Sequence, residues 1–300
     1  MPVSPDLPQA VPDHWSNLLW SMGSPHIVRD CGLPLLEDSR RRALWHYFNA
    51  PETRLRLRPE LERFLAALPS RRLGIYFEHL WAFTFSHHPD YALLYRNLPL
   101  RVGGQTLGEL DFVVQYLPDN AVEHWEVAVK FYLQVSTEHW LGPGLQDRLD
   151  AKLQRMREHQ LPVARHSAAD RFFSRHQLAI DRQWALLPGR LFRPLNRGAG
   201  APASFINPDC ADFWWCDEEA FSAWSLQRDC RWLQLPRSCW LAPLTGADYG
   251  SAEQTPLLTP TTPICLAGIT PSGEQTRGFL VPDDWARRAL SACADPAGST

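Results

Sequence analysis

One helix constrains what the rest of this chain can be. Between Arg72 and His88 the apolar residues Leu73, Ile75, Tyr76, Phe77, Leu80, Trp81, Phe83 and Phe85 cover nearly every side of a helical wheel. A helix that is apolar all round is a buried helix, so other elements must enclose it, and Pro89 ends it. A single carboxylate, Glu78, lies among these side chains, with Gly74, Ile75, Trp81, Ala82 and Phe85 a turn away. Removing an unpaired carboxylate from water costs several kcal/mol. Glu78 therefore needs a cation, a metal or a hydrogen-bonded partner, and a salt bridge to an arginine meets that need as well as a metal does.

The segments that follow read as the enclosing layer. Tyr91–Arg101 is β-like, Gly103-Gly104 make a turn, and Leu107–Tyr116 alternates as a strand. Pro118-Asp119-Asn120 form a second turn before a third strand over Val122–Leu133. After the break at Gly142-Pro143-Gly144, Leu145, Leu149, Leu153 and Met156 mark an amphipathic helix to about His159, and Leu161–Arg165 reads as a fourth strand. The order is helix, three-strand meander, helix, strand.

Flanking regions differ in character. Residues 1–15 hold four prolines and read as a mobile leader, and Ser16–Ala67 is helical, with Leu61, Phe64, Leu65 and Leu68 at helix spacing and Pro59 suited to a first turn. Beyond Arg175 the chain is rich in tryptophan and turns. Trp184–Leu195 and Arg231–Leu244 read as strands or hairpins, Asp217–Leu226 as a short helix, and Asn196–Ala203 and Thr245–Thr262 as loops. The expected division is an N-terminal leader and helical extension over 1–70, an α/β core over 71–175 and a C-terminal α+β region over 176–300. Most of the 13 tryptophans have apolar neighbours, as in Phe213-Trp214-Trp215, which favours core packing over base stacking.

Net charge is −3, so no global basic field draws in nucleic acid, and any such contact needs a local patch. All but two of the 30 basic residues are arginine. The exceptions are Lys130 and Lys152, and lysine offers what arginine lacks: a compact charge with a tunable pKa. The seven cysteines form no CxxC pair and no histidines fall at zinc-ligand spacing around them, so free thiols in a reducing compartment are expected. No apolar run approaches the roughly 20 residues of a membrane span, and no signal-peptide pattern opens the chain. The expected location is the cytoplasm, with no membrane contact.

Three further acids fall where burial makes them costly. Asp111 lies in Gly108-Glu109-Leu110-Asp111-Phe112, and on a strand Glu109 and Asp111 share a face. Two carboxylates on one face repel unless a cation lies between them, and a hydrated Mg²⁺ suits that place; Glu109 edging into solvent also removes the conflict. On the third strand His124, Glu126, Ala128 and Lys130 share a face, while Trp125, Val127, Val129 and Phe131 take the other. A lysine within an apolar strand needs an anionic partner or must lose its proton. Arg148, Lys152, Arg155 and His159 give the following helix a basic edge, which a solvated face also explains.

A buried helix glutamate, an aspartate on a second strand, then an acid and a lysine on a third resemble the PD-(D/E)XK nucleases. The wording is closer still to the bacterial family designated domain of unknown function 1853. That resemblance rests on Gly74-Ile75-Tyr76-Phe77-Glu78, Gly108-Glu109-Leu110-Asp111-Phe112, Glu126-Val127-Ala128-Val129-Lys130-Phe131-Tyr132, Trp140-Leu141-Gly142-Pro143 and Asp147-Arg148-Leu149-Asp150-Ala151-Lys152-Leu153. It implies a restriction-endonuclease-like αβββαβ core, a mixed sheet flanked by helices. It further implies Mg²⁺- or Mn²⁺-dependent phosphodiester hydrolysis of DNA or RNA. Asp111 and Glu126 would ligate the metal, with Glu78 ligating directly or through water and Glu109 as a substitute ligand. Lys130 would orient the attacking water, and Lys152 and Arg148 would contact phosphate. One departure stands out: the superfamily separates acid and lysine by two residues, about 7 Å, whereas Glu126 and Lys130 are four apart, about 13 Å on a regular strand. Long side chains or a bulge close part of that gap, or Glu109 is the second ligand instead. Otherwise the fold survives as a module that binds nucleic acid or protein without cutting.

Overall fold

The computed structural model describes residues 12–68, 70, 72–102, 104–195, 200–245 and 260–294. Most of the expected leader, Gly103 of the first turn and large parts of the loops 196–203 and 245–262 lie outside the described residues. Four helices come first: α1 (His14–Gly23), α2 (Asp38–Asn49), α3 (Pro51–Ala66) and α4 (Leu73–His87). Strands β1 (Tyr91–Val102), β2 (Gln105–Tyr116), β3 (Ala121–Val127), β4 (Lys130–Gln134) and β5 (Trp140–Leu141) follow. Helix α5 (Leu149–Arg155) runs into a π turn over Met156–Gln160 and a 3₁₀ turn over Pro162–Arg165, then come α6 (Ser167–Arg175), β6 (Arg182–Leu186) and β7 (Gly189–Pro194). The chain finishes with β8 (Phe213–Cys216), α7 (Glu218–Ser225), β9 (Arg231–Leu235), β10 (Ile264–Thr270), β11 (Gly273–Leu280) and α8 (Trp285–Ala294). The protein is thus mixed α/β with two mixed sheets, and no helix among the described residues is long and apolar enough to cross a membrane.

The chain gathers into two compact units that do not follow chain order. Among the described residues, one takes those of 14–129 and 152–188, and the other takes those of 130–151 and 189–294 with residues 12–13.

In the first unit the sheet order is β1-β2-β3-β6, antiparallel except for the parallel β3–β6 pair. Helix α4 covers the face that carries Phe112 and Trp125. Phe85 lies 5.3 Å from Phe112 and 5.0 Å from Trp125, ring centre to ring centre, and Trp81 lies 5.7 Å from Trp125. These rings are fully buried, and each large apolar side chain removed from water contributes about 2–3 kcal/mol. Helix α1 is tied to α4 through the Tyr76 hydroxyl, which meets His14 Nδ1 and Asn17 Nδ2, each at 2.9 Å. Val113 and Val122 pack instead with Val163, Ala164, Ala169 and Phe173, from the 3₁₀ turn and α6.

Three strand expectations are corrected. The run 122–133 is not one strand: it stops at Val127, crosses Ala128-Val129 without strand pairing, and resumes at Lys130 as β4 of the other unit. Leu161–Arg165 is not a strand either, because Pro162 starts a 3₁₀ turn there. The strand parallel to β3 is β6, whose Ala185 pairs with Glu126 and whose Leu186 pairs with Val127. Nor do β6 and β7 form a hairpin; each joins a different sheet.

In the second unit seven strands run β5-β4-β7-β8-β11-β10-β9, with β4, β7, β8 and β11 mutually parallel along the row. Trp285 of α8 lies 5.0 Å from Trp215 of β8 and donates its indole N–H to Pro143 O at 2.8 Å.

Candidate active site

The site is built where the β2–β3 ladder ends. Pairing runs from Tyr116↔Ala121 to Phe112↔Trp125. One residue further, the Asp111 side chain does what a strand carbonyl would: its Oδ2 accepts the Val127 N–H at 2.9 Å. That contact holds Asp111 beside Glu126, which is 1% exposed. The Asp111 carboxyl is pushed up to about 7, first by burial and next by the charge of Glu126. The Glu126 carboxyl is also pushed up to about 7 by burial, opposed chiefly by Lys152, with Glu109 and Glu78 adding to the rise. In both, burial leads the rise, neighbouring carboxylates add to it, and Lys152 opposes it.

Glu78 joins them from α4. Burial raises its pKa, Asp111 raises it further, and Arg96 and a hydrogen bond from the Asn97 side chain act against the rise. Asn97 lies on β1 between the Arg96↔Phe112 and Leu98↔Leu110 pairs, opposite Asp111, at φ 50°. Asparagine tolerates this left-handed backbone better than most residues. Glu109, which pairs with Pro99, is exposed and acts on the group through its charge alone.

Around Glu126 the hydrogen bonds form a directed chain. The Gln183 amide nitrogen donates to Leu161 O at 2.7 Å and meets His124 Nδ1 at 3.1 Å. An amide nitrogen can only donate, so His124 Nδ1 accepts and the imidazole proton is on Nε2. That Nε2–H donates to Glu126 Oε1 at 3.0 Å. Burial lowers the His124 pKa to about 4, so the contact is a hydrogen bond to a neutral ring. The other oxygen, Oε2, accepts from Gln160 Nε2 at 2.8 Å, and Gln160 Oε1 accepts from Lys152 Nζ at 2.7 Å.

The chain matches the family described as Domain of unknown function (DUF1853) from residue 16 to residue 281. It belongs to that family. A search of curated proteins and a search of solved structures each gave no match.

In this family member the residues expected to act together divide between the units. Glu78, Glu109, Asp111, Glu126 and Lys152 belong to the first; Lys130 and Arg148 belong to the second. Lys130 donates to Asp147 Oδ2 at 2.5 Å, and Tyr132 OH holds Asp147 Oδ1 at 3.0 Å. Arg148 pairs with Asp150 at 2.6 Å and reaches Ala292 O at 3.4 Å. The lysine whose charge acts on both Asp111 and Glu126 is Lys152. Sequence reasoning missed His124, Gln160 and Asn97. Only His124 carried a signal, its shared strand face with Glu126.

Among the described residues no three His, Cys, Asp or Glu side chains are gathered closely enough to hold a metal ion by themselves. The donors are carboxylate oxygens, which suit Mg²⁺ or Mn²⁺, and Mg²⁺ uses one or two carboxylates and keeps several waters. Asp111 and Glu126 supply that number.

Proposed function

We propose that this protein hydrolyses phosphodiester bonds of nucleic acid, with Mg²⁺ or Mn²⁺ held by Asp111 and Glu126. The observation that carries the reading is the adjacent pair of carboxylates, Glu126 buried and Asp111 half-buried, both pushed up to about 7. A divalent cation relieves the charge shortage that burial creates. With β4 and β5 given to the other unit, the order α4-β1-β2-β3-α5-α6-β6, with β6 parallel to β3, supports a restriction-endonuclease-like core of PD-(D/E)XK type that carries one added helix. What the cation supplies is charge against the phosphate oxygens and a more acidic water.

The protein's own groups do the rest. Asp111 is fixed by the Val127 N–H and Glu126 by His124 and Gln160, so neither carboxylate has to reorganise to receive a cation. Glu78, whose charge acts on Asp111, would reach the cation through water. Lys152 takes the part expected of Lys130: its ammonium, held by Gln160, orients the attacking water or binds a phosphate oxygen. A second reading, a nuclease-fold module that binds nucleic acid or protein without cutting, is favoured by the finding that, among the described residues, no third ligand stands close to the pair.

The test is Mn²⁺ titration calorimetry together with nicking of plasmid DNA and cleavage of RNA. The expected result is one Mn²⁺ site in the wild type, lost in Asp111→Asn, and cleavage lost in Asp111→Asn and in Lys152→Met. Cleavage undiminished in both variants removes the assignment. A wild type that takes up no Mn²⁺ and cuts nothing leaves the binding module.

A further inference from the structure

Gln160 occupies an unusual stretch of helix. The Leu161 N–H donates to Met156 O at 3.0 Å, a bond five residues long, and the segment Met156–Gln160 is wound as a π turn. Single π turns inside helices are uncommon and recur at functional sites. Its effect can be worked out. On a regular α-helix a residue eight positions on from Lys152 overshoots two full turns by about 80° and faces elsewhere. The wider π turn takes fewer degrees per residue and absorbs that overshoot. Gln160 thereby lines up with Lys152, and its amide meets both the ammonium and Glu126.

Partner chemistry fixes the direction of that amide. An ammonium only donates, so it takes Oε1; an ionised carboxylate only accepts, so it takes Nε2. A glutamate at 160 would set an acceptor against Glu126, and an aliphatic side chain would bridge nothing. The second Glu126 oxygen is held by His124. Each carboxylate oxygen has two lone-pair directions, so both keep one for a cation.

Building on the proposed metal site, we propose that Gln160 is a positioning residue that holds the Lys152 ammonium one amide away from Glu126, and that the π turn places it there. The lysine thus stays in reach of the reacting phosphate without closing on the carboxylate that must receive the cation. Replacing the amide lets Lys152 close on Glu126 and compete with the metal.

The presence of only two lysines makes this measurable. In metal-free protein labelled with ¹⁵N-lysine, Gln160→Met shifts the Lys152 ammonium resonance and leaves that of Lys130 in place. Adding Glu126→Gln removes the shift. In calorimetry, Gln160→Met lowers Mn²⁺ affinity by about tenfold or more, as loss of an outer-shell partner does, and Gln160→Met with Lys152→Met restores it. Gln160→Ala gives the same pattern, should the methionine disturb the turn. An unmoved Lys152 resonance overturns the proposal, and so does an affinity loss that persists without the lysine. Failure of the wild type to take up Mn²⁺ would remove the proposed function, while the ammonium resonances would still decide the role of Gln160.

Discussion

Lys130 donates to Asp147 at 2.5 Å, within the unit that holds β4, and Tyr132 grips the other oxygen of the same carboxylate. A lysine at the head of an apolar strand has thereby found the anion it requires. The pair is partly exposed, at 20% for the lysine and 45% for the aspartate, so its worth is limited to about 1 kcal/mol. Lys130→Met is expected to lower stability by about that amount and to leave cleavage within a few-fold of wild type. Lys152→Met is expected to abolish cleavage and to cost stability increasingly as pH rises, because the charge that opposes Asp111 and Glu126 is gone. Urea melts and a nicking assay on the two variants check this, and the opposite assignment would return the role to Lys130.

What the sequence disclosed follows from where its physics is local. Helix α4 was legible because eight apolar side chains cannot surround a helix in water, and β1 to β3 because turn residues punctuate them. Glu78, Asp111 and Glu126 were legible as acids placed where burial is costly, and the structure does bring their charges together. The break at Ala128-Val129 was not legible, since Glu126 to Leu133 alternates without interruption. What divides it is pairing with β6 and β7, more than fifty residues further on. The fourth strand was misplaced at Leu161–Arg165 for a related reason: Arg182–Leu186 becomes a strand by pairing with β3, and nothing local to it says which strand it joins. Gln160 was hidden by geometry, because helical spacing puts it off the Lys152 face until the π turn is known.

A second test concerns the buried arginines of the other unit. Arg277 (1% exposed) grips Glu274 with two bonds of 2.7 Å and also donates to Trp240 O and Ala242 O. Arg190 (4% exposed) donates to Trp240 O at 2.7 Å and to Leu241 O. Burial and the charge of Arg277 push the Arg190 pKa well below its ordinary value, and Glu274 acts against that fall. Glu274→Gln removes the negative charge that both guanidiniums feel. The expected cost is about 3–5 kcal/mol, as for other buried pairs that lose one partner. Chemical denaturation reads it, and a cost below about 1 kcal/mol would show that the carbonyls alone suffice.

Gly278 tests packing in the same sheet. A Cβ at this position would fall 2.0 Å from Trp214 Cδ2, in a ring that also donates its indole N–H to Thr276 Oγ1 at 2.9 Å. The tryptophan is locked between that bond and the Phe221 ring, 5.6 Å away and stacked, so it cannot step aside. Gly278→Ala is expected to destabilise by about 1–3 kcal/mol or more. Replacing Trp214 with leucine in the alanine background should recover part of the loss, measured by thermal melts of the single and double variants.

The carboxylate pair makes a prediction about pH whose sign can be worked out. Asp111 and Glu126 have folded pKa values of about 7, above the ordinary 3.8 and 4.5. Their folded state binds protons more tightly than the unfolded state, so they favour folding at low pH and lose that contribution as pH rises to and through about 7. His26 and His124, both lowered to about 4 from 6.5, work the other way: their contribution is complete well above 6.5 and is lost as pH falls towards 4. The two effects overlap below pH 6.5 and separate above it. Between pH 6.5 and 8 the acids dominate, and metal-free protein should become less stable as pH rises. The net loss should be of the order of 1 kcal/mol, since about two-thirds of each acid's titration lies in this window and the last part of the histidine contribution offsets some of it. Asp111→Asn should flatten the slope and raise stability at pH 8, and saturating Mn²⁺ should do the same for the wild type. Thermal melts at pH 6.5 and 8, with EDTA and with Mn²⁺, measure all three. Stability that rises over this interval in EDTA would mean that the two carboxylates are not short of positive charge, and the argument for a cation between them would fail.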